Sequence, residues 1–215
     1  MAGAACIPPI YAYVTSSEEQ RKARLAKTGL QPNYNVSKPN KSTDDLILKD
    51  GDDVYYTARV LDDNSQLQLF GKESSEEADI VAAARLGEQA NTPQICLGRP
   101  DMTKSGWANL VAYHDKEGQS TVNFSVPGLD ESRRKLVWVR SAARGGVLRH
   151  LVGRPTEWTL RDAESPAGEN KTLGVFVEGA SRSDVGQFRW FVALNREEER
   201  SSVVGLLAGM RLLAH

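Results

Sequence analysis

The stretch REEERSSVVGLLAGMRLLAH, Arg196 to His215, decides how the rest of the sequence is read. Glu197, Glu198 and Glu199 favour a helix N-terminus through the dipole, and Ser201 or Ser202 would cap a slightly later start. From Val203 the sequence turns apolar. At 3.6 residues per turn, Val204 and Leu207 cover one side and Leu206, Met210 and Leu213 another. Gly205, Ala208, Gly209 and Leu212 cover what remains. A helix that is apolar all round has to be enclosed on all sides. Carried through Arg211 to Ala214, the run has only 12 residues. That is about 18 Å of helix, against a bilayer hydrocarbon core of ~30 Å. No transmembrane segment is expected, so the enclosing material is protein. Gly205 and Gly209 then read as places where strands approach the helix closely, and Arg211, in the last turn, as a cation that complements the dipole and snorkels out of the enclosure.

The sequence upstream supplies strands. Short extended segments recur between turn residues: Leu46–Lys49, Val54–Val60, Gln66–Phe70, Ile80–Leu86, Gln94–Leu97, Trp107–His114, Thr121–Val126, Lys135–Arg140, Val147–Leu151, Glu157–Leu160, Leu173–Val177 and Gln187–Leu194. Several alternate with period two: Val122, Phe124 and Val126 share a face, as do Leu136, Trp138 and Arg140. Ile80–Leu86, rich in alanine, also fits a helical turn. No helix-length segment alternates with the strands, which argues against a βαβ fold. A barrel of about eleven strands is wide enough for a central helix. The expected fold is therefore mainly β, a closed antiparallel barrel around the C-terminal hydrophobic helix.

Residues 1–41 read as a lead-in, and residues 42–215 as a single barrel domain. The lead-in offers a capping box at Ser16 and Glu19 and a stop at Gly29. Between them Arg21, Lys22, Arg24 and Lys27 leave little apolar face, so that helix is expected to be peripheral. Gln31–Ser42, with Pro32 and Pro39, reads as a loop. Met1–Pro9 has neither a basic n-region nor a sustained apolar run, so no secretory leader is expected. Cys6 and Cys96 have no metal-ligand spacing and read as idle thiols. The default address is the cytoplasm, with peripheral membrane or nucleus open.

Net charge is −1 and names no partner, but its distribution is uneven. Residues 42–130 hold 16 acids and 7 bases, a net of −9. Residues 131–154 hold Glu131 against seven bases, Arg133, Arg134, Lys135, Arg140, Arg144, Arg149 and Arg154, a net of +6. The guanidinium fork suits phosphate better than ammonium does, and Gly145-Gly146 would let backbone N–H groups approach an anion. These seven residues are the candidate ligand-binding set. The other reading is that they pair with the acidic half and solubilise two strands.

Catalytic and metal chemistry has little footing. His114, His150 and His215 are scattered, and paired acids such as Asp52-Asp53 fall in turns. No P-loop, dinucleotide fingerprint or nucleophile elbow occurs. No metal and no cofactor is expected. Trp107, Trp138, Trp158 and Trp190 lie on strand patterns and read as core, so a nucleic-acid partner is not expected.

A barrel ending in a hydrophobic helix, reached through Phe188-Arg189-Trp190-Phe191-Val192-Ala193-Leu194, resembles the tubby C-terminal-like superfamily, which includes the LURP-one-related proteins and the scramblases. The order Lys135–Arg140, Glu157–Asp162, Leu173–Glu178, another strand, an acidic link and the apolar helix is similar to uncharacterised fungal members of the LURP-one type. The likeness runs from about Asp44 to the end and lies in order and pattern. The phosphoinositide-contacting residues of tubby have no position-by-position counterpart, so no role is carried over. The resemblance implies the fold first; with the arginine-rich segment it suggests a non-enzymatic module that takes an anionic, phosphoinositide-like headgroup or a protein partner on that face. The competing reading is a lipocalin-like barrel that binds or converts a small molecule in an internal pocket. The position of the last helix separates the two.

Overall fold

The computed structural model describes residues 17–40, 44–61, 65–72, 78–86, 92–101, 106–126, 134–140, 156–165, 171–181 and 183–214. After helix α1 (Ser17–Thr28) come β1 (Tyr34–Ser37), β2 (Leu46–Asp50), β3 (Asp53–Leu61), β4 (Gln66–Lys72), β5 (Ala78–Arg85) and β6 (Gln94–Leu97). Then follow β7 (Ala108–His114), β8 (Ser120–Ser125), β9 (Lys135–Arg140), β10 (Glu157–Asp162), β11 (Thr172–Glu178), β12 (Asp184–Trp190) and helix α2 (Arg196–Leu213). Each strand pairs antiparallel with the next in the chain, and β12 returns to pair with β1, which closes the barrel. The expected fold class is what the chain adopts, with twelve strands in the wall.

Alternation decides which side chains face inward. Leu46 and Leu48, Leu136 and Trp138, Trp158 and Leu160, and Phe188 and Trp190 are all buried, at period two along their strands. Turn chemistry fixes the ends. In the β7–β8 turn, Oδ1 of Asp115 accepts from the N–H groups of Glu117 and Gln119, each at 2.8 Å, and Gly118 adopts φ 76°.

Helix α2 lies inside. Every residue from Glu199 to Gly209 is buried, and the helix runs lengthwise through the barrel. It enters at the end where β12 finishes. It emerges beside the β1–β2 connection, where the guanidinium of Arg211 reaches the carbonyl of Asp44 at 3.4 Å. We call these the entry and exit mouths. The helix starts earlier than Ser201 or Ser202. Asn195 is the N-cap: its side chain accepts from the N–H of Glu198, whose carboxylate accepts from the N–H of Asn195. The two serines are instead buried within the helix.

The interior is lopsided. Helix α2 lies against β4–β8, where Ala82, Ala84 and Ala108 line the core and small side chains admit a helix. The glycines of α2 face β8: a Cβ on Gly205 would sit 3.1 Å from the Phe124 ring, and one on Gly209 would sit 2.4 Å from Val122 Cγ2. The opposite wall carries rings. Phe188 stacks on Trp190 at 5.7 Å between centroids and meets Phe176 at 4.7 Å and Trp138 at 5.9 Å. The Trp138 indole N–H donates to the Ser202 carbonyl at 2.9 Å, tying that wall to the helix.

Three features differ from the sequence expectation. The stretch Gln31–Ser42, expected as a loop, contains β1, so the barrel begins at Tyr34 rather than after residue 41. Flanking prolines and only four residues hid its alternation, which is nonetheless present in buried Tyr34 and Val36. The alanine-rich segment is the expected strand, β5, rather than the alternative helical turn. Trp107 is half-buried beneath the Arg85 guanidinium, 3.9 Å from its ring centre, rather than in the core with the other three tryptophans. The lead-in helix is not merely peripheral, because Arg21 is buried. The expected strand Val147–Leu151 lies outside the described residues. Among the described residues, no helix is long and apolar enough to cross a membrane.

Candidate functional site

The seven basic residues do not share one place in the fold. Arg134 and Lys135 open β9 at the entry mouth, and Arg140 ends it at the exit mouth, roughly 17 Å away at ~3.4 Å per residue. Arg133, Arg144, Arg149 and Arg154 lie outside the described residues. The three described members each have an acidic partner. Arg134 bridges Asp162 (2.8 Å) and Glu198 (2.5 Å). Burial works against its charge, yet the hydrogen bonds and charges of Glu198 and Asp162 outweigh burial and raise its pKa above the ordinary value. Lys135 meets Glu164 at 3.0 Å, both well exposed. Arg140 reaches Glu178 at 3.1 Å, lies 5.8 Å from the Trp158 ring centre, and shares Glu178 with the indole N–H. Such pairs on a wet surface contribute ~0–1 kcal/mol each.

A second constellation sits at the entry mouth. Glu199, at the end of the first turn of α2, is fully buried. Its Oε1 accepts from the hydroxyls of Tyr34 (2.5 Å) and Tyr56 (3.0 Å), and its Oε2 accepts from Nε of Arg21 at 2.7 Å. The Arg21 fork also donates to the Leu194 carbonyl at 3.2 Å, while the Leu194 N–H donates to Gln31 Oε1. Tyr34 packs on Tyr55 and Tyr56 at 5.4 and 5.5 Å between ring centres.

The electrostatics follow from this enclosure. Burial, then the Glu199 carboxylate, pushes the Tyr34 and Tyr56 phenols well above their ordinary 10.0. Burial and the nearby carboxylates of Asp50 and Asp53 lift Tyr55 to about 12. Burial opposes the Arg21 charge, but Glu199 outweighs it and raises the Arg21 pKa. The phenols therefore stay neutral donors to a carboxylate that is already balanced by a guanidinium. This arrangement binds a cation; it does not activate a nucleophile.

The remaining groups offer little chemistry. Burial pushes the Cys96 thiol up to about 11, so it stays protonated at neutral pH. His114 Nδ1 sits 3.0 Å from the Ser120 hydroxyl. Among the described residues, no group of three or more His, Cys, Asp or Glu could hold a metal ion. Sequence reasoning missed the Glu199 constellation because its members are up to 178 residues apart. The one local signal was Glu199 lying four residues before Val203, on the same side of a helix whose next turns are enclosed. No family model, curated protein or solved structure matches this chain.

Proposed function

We propose that this barrel is a non-enzymatic binding module of tubby C-terminal-like kind that takes anionic phospholipid headgroups, phosphoinositide-like in charge, on an arginine-rich outer surface. The observation that carries the reading is the place of α2. A helix buried from Glu199 to Gly209 and tied to both walls occupies the interior that a lipocalin-like ligand would need. Recognition then falls to the outside.

The charge pattern says where. Residues 131–154 carry a net charge of +6 against −9 for residues 42–130. Because Arg134, Lys135 and Arg140 have acidic partners within the barrel, the reading rests on Arg133, Arg144, Arg149 and Arg154. Three of these four belong to the connection between β9 and β10.

The test is vesicle binding with Arg144→Glu/Arg149→Glu. Each basic group near an anionic surface is worth ~1 kcal/mol, so replacing two attractions by repulsions weakens binding more than about tenfold at low salt, and less as salt screens it. Lys22→Glu/Lys27→Glu, two exposed positions on α1, and neutral vesicles are the controls. If the unaltered protein ignores anionic vesicles, the lipid reading fails and a protein partner takes its place.

A further inference from the structure

We propose that the entry mouth is a guanidinium socket, built from Glu199, Tyr34, Tyr56 and the Leu194 carbonyl, that holds Arg21 as an exchangeable occupant and accepts an arginine of another polypeptide in its place. The socket does not depend on the lipid reading and uses none of the seven basic residues of that reading.

The acceptors match a fork. Oε2 of Glu199 and the Leu194 carbonyl receive two different nitrogens of one guanidinium, at 2.7 and 3.2 Å. An ammonium is a point donor and does not reproduce that planar spread. The two tyrosine hydroxyls occupy the other carboxylate oxygen, Oε1. They leave Oε2 facing the incoming cation and hold the carboxylate still. The receiving half of the site belongs to the barrel and its filling: β1, β3, the link before α2 and the first turn of α2.

The occupant belongs to a part held much more lightly. Among the described side chains of α1, residues 21–28, Arg21 is the buried one. Lys22, Ala23, Ala26, Lys27 and Thr28 are exposed, and Arg24 pairs with Asp50 at 2.6 Å with both side chains partly in water. The helix brings no apolar face that would bind without its arginine; Leu25 is only half-buried. So α1 behaves as a tethered ligand. Arg21 supplies its buried contact, Arg24 a second one partly in water, and the barrel wall closes without any strand pairing to it. A partner that presents an arginine on a short polar helix meets the same acceptors.

The test uses the full chain carrying Arg21→Ala and a labelled synthetic peptide of residues 17–28. A tethered occupant competes at an effective concentration on the order of millimolar. The unaltered chain should therefore bind the peptide at least about tenfold more weakly than the Arg21→Ala chain does. A peptide with alanine at position 21 should bind neither. As a chemical probe, ethylguanidinium should raise the melting temperature of the Arg21→Ala chain and leave the unaltered chain unmoved, while ethylammonium should move neither. Arg21→Lys serves as the receiving chain if Arg21→Ala does not fold. Equal binding by the altered and unaltered chains, equal binding of the two peptides, or equal shifts from the two probe cations overturns the proposal. Failure of both variants to fold overturns it too, because an exchangeable occupant is not indispensable to the fold.

Discussion

Helix α2 is buried from Glu199 to Gly209, but its first two turns and the turns that follow are held by different physics. From Arg196 to Ser202 the helix is polar, and its entry is fixed by directional bonds: the Asn195–Glu198 capping box, Arg134 on Glu198, and Arg21, Tyr34 and Tyr56 on Glu199. From Val203 onward it is held by packed area and shape, with Val203, Val204, Leu206 and Leu207 at 4% exposure or less. The polar half gives the helix its axial position, since a carboxylate with three donors tolerates little sliding. The apolar half supplies the free energy. Specificity and stability are thus separated along a single helix, and each can be attacked alone.

The largest effect should come from the apolar half. Truncation before Ser201 removes those four fully buried side chains, each worth ~1.5–3 kcal/mol. Together they approach a typical domain stability of ~5–15 kcal/mol. We expect no cooperative unfolding transition by circular dichroism. A truncated chain that melts near the parent midpoint would show that the barrel stands without its filling.

The polar half should respond less, but sharply. Glu199→Ala strands a buried guanidinium and two phenols, and breaking a buried ion pair from one side costs ~3–5 kcal/mol. The double variant Arg21→Met/Glu199→Met should be more stable than Glu199→Ala, because the charge is removed from both sides. Urea midpoints that rank the double variant below the single one would mean that the ion pair contributes stability of its own.

Shape comes next. Gly209→Leu should lower the melting temperature more than Gly205→Leu, and both more than Val203→Leu. Val122 already crowds the Gly209 position at 2.4 Å, whereas the Phe124 ring at 3.1 Å from the Gly205 position can shift. Overpacking of this kind costs ~1–3 kcal/mol. Equal melting temperatures for the two glycine variants would mean that β8 yields as a unit.

The smallest effect is a slope. Burial and Glu199 keep the Tyr34 and Tyr56 phenols protonated in the folded barrel above the ordinary 10.0, whereas the unfolded chain releases those protons near that value. Their contribution is fully present below about pH 10 and is lost as pH rises further, at ~1.4 kcal/mol per pH unit for each phenol. Urea unfolding between pH 8 and pH 11 should show a steeper decline for the parent than for Tyr34→Phe/Tyr56→Phe. Parallel slopes would remove the tyrosines from the account.

The same division explains what could be read beforehand. The apolar half announces itself locally, since four faces of one short segment are hydrophobic, and with it came the barrel that must surround it. The strand alternations of Phe188 and Trp190 or of Leu136 and Trp138 are equally local. The polar half is not local. Glu199 looks like any acid at a helix start, Arg21 like any solvated base, and Tyr34 sits in a strand of four residues between prolines. Their meaning depends on pairings across the whole chain, which periodicity does not encode. Likewise the seven bases form one cluster in sequence, but their described members lie at both mouths of the barrel, because β9 is extended and carries its two ends apart.

The order of elements sets a timetable for synthesis. All twelve strands precede α2, and β1 must wait for β12 before the wall closes. Translation at ~5–20 residues per second leaves the nascent sheet, with Trp138 on its concave side, exposed for roughly 4–15 s before its own filling has been made. During that interval the growing chain exposes apolar surface of the kind that promotes aggregation. Any slowing of translation ahead of Arg196 should increase its aggregation without altering a single native contact.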